Sequence, residues 1–186
     1  MTELTARRGY HHGNLREALL EAARRLTAER GPHGFTLLEV AKAAGVSASA
    51  PYRHFKDRDA LLAELCRRGF MAFGERLAAV GGLTGMGAAY LAFAREEPGY
   101  YGAMFEWRAA ASAGGESHAF DTLVQAIAAR LPASEGEAAR LRALQVWALS
   151  HGVASLERAG MPPPGSGAPP GEVVLDDAVA RLLALR

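Results

Sequence analysis

Residues 36–55 read Thr36-Leu37-Leu38-Glu39-Val40-Ala41-Lys42-Ala43-Ala44-Gly45-Val46-Ser47-Ala48-Ser49-Ala50-Pro51-Tyr52-Arg53-His54-Phe55. Thr36 with Glu39 three residues later is a capping box, the reciprocal side-chain and backbone pairing that starts a helix. Val40, Ala41 and Ala44 give that helix an apolar face, and Gly45 ends it after about eight residues. Ser47 then caps a further short helix running to about Phe55. Glycine allows the sharp bend between the two and Val46 plugs the angle, which together make a helix-turn-helix. The amino end of the second helix favours negative charge, so phosphate can approach it and the helix can meet a DNA major groove.

Upstream, Leu15, Leu19, Ala22 and Leu26 share one face of a helix over about 15–30, with Asn14 as cap, Glu17 completing a capping box and Gly31-Pro32 as stop. Downstream, Asp57 caps a long fourth helix with Leu62, Cys66, Gly69, Phe73 and Leu77 on one stripe. Past Gly81-Gly82, Met86, Tyr90 and Phe93 mark a fifth helix, and Pro98 opens a short one rich in Tyr100, Tyr101, Phe105 and Trp107. A small-residue loop over about 109–116 leads to the stripe Phe120, Val124, Ile127 and Leu131, closed by Pro132. Ser134 and Glu137 form a third capping box, starting the longest helix, about 134–159 and about 39 Å. Its apolar residues cover most of its circumference, which predicts burial on several sides. Residues 160–171 hold five prolines and read as loop, and Leu175, Val179 and Leu182 mark a final helix over about 172–185.

No stretch alternates apolar and polar residues over a strand's length, so the fold class is all-α. Three segments follow: an arm and three-helix head over 1–56, a connecting helix over 57–80, and a helical body over 81–186. A chain of 186 residues, 49% hydrophobic and 22% charged, has ordinary globular composition and needs no cross-links to fold. The one cysteine, Cys66, excludes an internal disulfide and a thiolate metal cluster. With no long apolar run or leader segment, the expected location is the cytoplasm. Residues 1–60 carry ten Lys/Arg against seven Asp/Glu, hence +3, and the remainder carries eleven against thirteen, hence −2. That surplus is too small to argue nucleic-acid binding unaided, and the motif decides.

From Phe35-Thr36-Leu37-Leu38-Glu39-Val40-Ala41 through Ala44-Gly45-Val46-Ser47 to Pro51-Tyr52-Arg53-His54-Phe55-Lys56-Asp57-Arg58-Asp59-Ala60-Leu61-Leu62, the chain resembles the TetR family of transcriptional regulators over about residues 12–65. Tyr90-Leu91-Ala92-Phe93-Ala94, Glu97-Pro98-Gly99-Tyr100-Tyr101 with Met104-Phe105, and Trp147 with His151-Gly152 look like the branch whose C-terminal domain carries a Trp…His-Gly signature. The resemblance implies an N-terminal helix-turn-helix DNA-binding domain and a C-terminal helical ligand-binding and dimerisation domain. It also implies a homodimer on double-stranded DNA at a palindromic operator, most commonly a repressor released by a small effector. Carried over to this chain, phosphate contacts fall on Thr36, Tyr52, His54 and Lys56. Base reading falls on the start of the recognition helix, Ser47, Ala48, Ser49 and Ala50, and on Arg53, where arginine can donate two bonds to guanine and alanine can touch a thymine methyl. The arm Arg7-Arg8-Gly9-Tyr10-His11-His12 either reaches a minor groove or stays solvated. Tyr52 packs its ring and turns its hydroxyl outward.

Phe35, Val40, Ala41, Val46, Phe55 and Leu61 are the core of the head. In the body, Tyr90, Tyr101, Met104, Phe105, Trp107, Trp147 and His151 are the candidate lining of an apolar effector pocket, against the alternative that such residues at helical spacing are simply core. His151 follows Trp147 by four residues and shares its helix face, as either a ligand contact or a buried histidine with one partner. No nucleophile set, phosphate loop, metal cluster or cofactor motif is present, so no catalysis and no cofactor are expected. The competing functional reading is a dimeric helical DNA-binding or interaction protein with no effector.

Overall fold

The computed structural model describes residues 15–107, 116–132, 138–163 and 165–184. Asn14, the basic arm, residues 109–115 of the expected 109–116 loop and the Ser134 capping box lie outside the described residues. All regular structure among the described residues is helical: α1 (Leu15–Arg30), α2 (Leu37–Ala43), α3 (Arg58–Ala79), α4 (Met86–Glu96), α5 (Pro98–Phe105), α6 (Glu116–Ala128), α7 (Ala138–Arg158) and α8 (Gly171–Ala184).

The starts follow the caps read from the sequence. Thr36 Oγ1 accepts from the Glu39 N–H at 3.3 Å while the Thr36 N–H donates to Glu39 Oε2 at 2.9 Å, the complete capping box of α2. Asp57 Oδ1 accepts from the Ala60 N–H at 2.7 Å and starts α3. Gly45, at φ +70°, makes the turn after α2 in a backbone region that side chains with a Cβ seldom enter.

The expected helix over 47–55 is instead a loop turn followed by a 3-10 turn, Pro51–Arg53. Proline is the cause. An α-helix starting at Ser47 needs the residue 51 N–H on the Ser47 carbonyl, and Pro51 has none. The Ala50 N–H takes that carbonyl at 3.0 Å and the His54 N–H takes Pro51 O at 2.9 Å, both with the tighter 3-10 spacing.

A single buried cluster runs from Leu19 in α1 through Leu61, Phe70 and Phe73 in α3 and Leu91 in α4 to Leu175 in α8. Helix α3 packs on α1, α4, α5 and α6, and α7 packs on α4, α6 and α8. Helix α7 is buried on the sides that face α4, α6 and α8, through Ala139, Ala143, Val146, Ser150 and Ala154, and is open on the remaining one. Leu141, Leu144 and Leu156 are 60%, 56% and 55% exposed, because one chain supplies partners for only part of its circumference.

Candidate nucleic-acid interface and body cavity

The segment from Ser47 to Lys56 is the accessible surface of the helix-turn-helix. Ser47, Ala48, Ser49, Arg53, His54 and Lys56 are exposed, and Ser47 Oγ lies 3.4 Å from Ser49 Oγ. Ala50 is only 8% exposed and belongs to the core with the buried Pro51, so it cannot meet a base edge without leaving that core. Tyr52 is 62% exposed, so its ring, expected to pack, stands in solvent with its hydroxyl. Thr36 is exposed but committed. Its hydroxyl donates to Glu39 Oε2 at 3.0 Å while accepting from the Glu39 N–H, leaving no proton for a phosphate. Glu39 also receives Arg30 at 2.9 Å, and the Thr36 N–H bond holds its carboxyl below the ordinary carboxylate range.

A charged clamp fixes α1 to α3 behind this surface. Glu64 accepts from Arg67 at 2.9 and 2.8 Å, from Arg68 at 2.9 Å and from Arg16 at 3.2 Å, and Arg68 also holds Glu17 at 2.7 Å. The Arg67 bonds, followed by Arg68, bring the Glu64 carboxyl down to about 2. The Arg16 guanidinium also covers the Phe55 ring, 5.4 Å from its centroid.

In the body the structure brings Tyr90, Tyr101, Phe105, Trp147 and His151 together. Tyr101 OH lies 2.9 Å and Tyr90 OH 3.3 Å from His151 Nδ1. Burial lowers the His151 pKa, opposed by the Glu106 carboxylate, and Nδ1 shares its hydrogen bonds with the two tyrosine hydroxyls, the donor in each following the imidazole tautomer. Burial likewise raises both tyrosines. The rings interlock edge to face, Tyr90 with Trp147 at 5.9 Å and with Phe73 at 5.0 Å, and His151 lies 4.9 Å from Phe105.

Only Tyr90 and Trp147 of the expected pocket residues line the body's aromatic-walled cavity, about 240 Å³ between α3, α4, α6, α7 and α8. Tyr101, Phe105 and His151 sit behind that wall, held by the hydrogen bonds and ring contacts just described. Met104 packs its sulfur against Gly69 of α3, and Trp107 is buried. The rest of the lining is mostly aliphatic, including Met86, Leu123, Val146, Leu175 and Val179, with Ser150 inside and Thr84, Arg130 and Asp176 at the edge. Aliphatic residues at helical spacing look alike whether they face a cavity or a neighbour, so the sequence carried no separate signal for these.

Helix α5 joins this wall to the head. Tyr101 and Phe105 reach the His151 cluster, while a Cβ at Gly99 would collide with the Arg24 carbonyl oxygen of α1 and one at Gly102 would lie 3.1 Å from Thr27 Cγ2. At Gly99 only glycine permits the backbone approach, and at Gly102 a side chain would crowd the Thr27 methyl. Arg24 adds an ion pair to Glu97 at 3.0 Å and lies over the Tyr100 ring.

An exposed cationic segment on a helix-turn-helix, carried by a helical body through α3 and α5, defines a DNA-binding regulator. Two family models agree with that class. The model described as bacterial regulatory proteins, tetR family, matches residues 19–65, and the tetracyclin repressor-like C-terminal domain matches residues 83–182. The chain belongs to the TetR family of transcriptional regulators. It is 44% identical over 50 residues to the HTH-type transcriptional regulator AcrR of Shigella flexneri, a match that covers 27% of this chain and 23% of that relative. A solved protein of unknown function from Rhodococcus sp. RHA1 is 29% identical with a TM-score of 0.72, covering 95% of this chain and 97% of that one. A transcriptional regulator from the same organism is 26% identical with a TM-score of 0.66, covering 90% and 95%. No helix among the described residues is long and apolar enough to cross a membrane.

Proposed function

We propose that the protein is a homodimeric repressor that binds a palindromic operator and is released when a small, largely apolar effector enters the body cavity. The connection that carries this reading is α5. It touches the tyrosine-histidine cluster behind the cavity wall on one side and the backbone of α1 on the other. An effector that moves Tyr90 or Trp147 shifts α5 and tilts α3, which changes the separation of two reading heads. Release follows only if the effector binds the DNA-incompetent form more tightly. The exposed leucines of α7, with Val173 at 53% and Val174 at 37% on α8, support pairing of α7 and α8 with their copies about a two-fold axis. A two-fold dimer then reads a palindrome with half-sites about one turn of DNA apart, roughly 34–36 Å or slightly more.

Within each head, Arg53 reads a base edge with Ser47, Ala48 and Ser49 beside it, and Tyr52, His54 and Lys56 meet phosphates. Residues 1–56 serve as head, 57–80 as connector and 81–186 as body, and Trp147 with His151-Gly152 supports membership of the Trp…His-Gly branch. Acting on chromosomal DNA, it works in the cytoplasm. Selection of bound sequences from random duplexes at moderate salt tests the core of this reading. Enrichment of an inverted repeat is the expected result. Enrichment of one unrepeated half-site, or of nothing, refutes it.

A further inference from the structure

We propose that the effector is a small apolar monocarboxylate whose acid group is held by Arg130 at the edge of the cavity, an inference that rests on the effector reading above. The cavity of about 240 Å³ has room for roughly ten non-hydrogen atoms at interior packing density. Its inner wall, formed by Met86, Leu123, Val146, Trp147, Leu175 and Val179, is apolar and takes the hydrocarbon part of such a molecule. Of the buried polar side chains there, Ser150 is 4% exposed and gives its proton to the Val146 carbonyl at 2.9 Å, and the Tyr90 hydroxyl is engaged with His151 Nδ1 at 3.3 Å, so neither stands free to receive an anion. An anion is therefore unwelcome at the inner end and belongs at the edge.

At that edge Arg130 donates from Nη2 to Thr84 Oγ1 at 3.0 Å, which fixes the guanidinium through a neutral partner. Among the described residues no carboxylate oxygen lies within ion-pairing distance of it, whereas Arg76, Arg95, Arg158 and Arg181 of the same chain each hold one. A ligand carboxylate gains charge-assisted bonds there without displacing an existing ion pair. Asp176, also at the edge, is the competing anchor and would select an amine. It is exposed and has no comparable tether, whereas its neighbour Asp177 is held by Arg181.

Calorimetric titration of the full chain with octanoate, octan-1-ol and octylamine tests the assignment, using wild type, Arg130→Gln and Asp176→Asn. Both substitutions are at exposed positions and leave the core intact. Octanoate should bind wild type best, weaken about ten-fold or more with Arg130→Gln and bind Asp176→Asn undiminished. Preference for octylamine, lost with Asp176→Asn, overturns the carboxylate assignment. Equal binding of octanoate and octanol, unchanged by Arg130→Gln, also overturns it while leaving the cavity as the effector site. Binding of none of the three overturns the inference, and operator release by some other small molecule, bound elsewhere, would then separate its failure from failure of the repressor reading.

Discussion

Leu144→Glu on α7 places a charge in the middle of the proposed dimer face. The side chain is 56% exposed in the single chain, so the substitution costs little folding stability. Full burial of a leucine is worth about 1.5–3 kcal/mol, and covering the exposed part of Leu141, Leu144 and Leu156 on two chains contributes about 5–10 kcal/mol gross. Association itself costs about 4–15 kcal/mol, so an interface of this size has little surplus. Removing Leu144 from both chains forfeits about 2–3 kcal/mol, which weakens dimerisation about 30- to 200-fold before any cost of desolvating two carboxylates. Sedimentation across a concentration series reads the dissociation constant, and far-UV circular dichroism checks that the helices survive. Leu38→Glu on α2, where the side chain is 60% exposed, is the matched control and should leave association unchanged. A folded Leu144→Glu variant with the wild-type dissociation constant refutes the assignment of this face. So does a Leu38→Glu variant that is weakened equally.

Arg53→Ala should cost about 1–3 kcal/mol of operator binding with little change on non-specific DNA, measured by fluorescence anisotropy on both duplexes. An equal loss on both would make Arg53 a phosphate contact. Lys56→Ala should weaken binding to every sequence and reduce the slope of log K against log salt by about one. His151 has a folded pKa below its ordinary 6.5, so its contribution to stability is complete above that value and is lost as pH falls below it. Thermal melts of His151→Gln should lack that part of the acid sensitivity, and an unchanged pH profile would argue against a neutral imidazole in the cluster. Glu64, depressed to about 2 from 4.5, contributes stability present above pH 4.5 and lost between 4.5 and about 2. Glu64→Gln should flatten acid unfolding in that interval, read by the same melts.

The helix starts were legible because a capping box and an aspartate cap are local chemistry. Thr36 with Glu39 and Asp57 with Ala60 make the bonds that their spacing announces. Helix α1 ends at Arg30 for the reason Gly31 gives. The reading segment was legible in place but not in conformation, since the missing N–H of Pro51 outweighed the cap at Ser47 and turned Ala50 inward. Thr36 shows the complementary difficulty: one hydroxyl suits both a phosphate and a capping glutamate, and only the folded backbone shows which has it. In the body, ring-rich residues marked the correct region, and Tyr90 and Trp147 do face the cavity. Tyr101 and His151 sit behind it because each satisfies the other's polar atom, a pairing across fifty positions of chain that periodicity cannot express.

The seam between α1 and α5 bears on how such regulators can be recombined. A chimera cut at residue 56 or 80 would separate Arg24 and Thr27 from the glycines of α5 that receive them. The transplanted head would then bare that flank, and a foreign helix with a Cβ at the position of Gly99 would not seat on it. Grafting this reading head onto another sensor body therefore requires carrying α5, or at least its Gly99 and Gly102 face, along with α1.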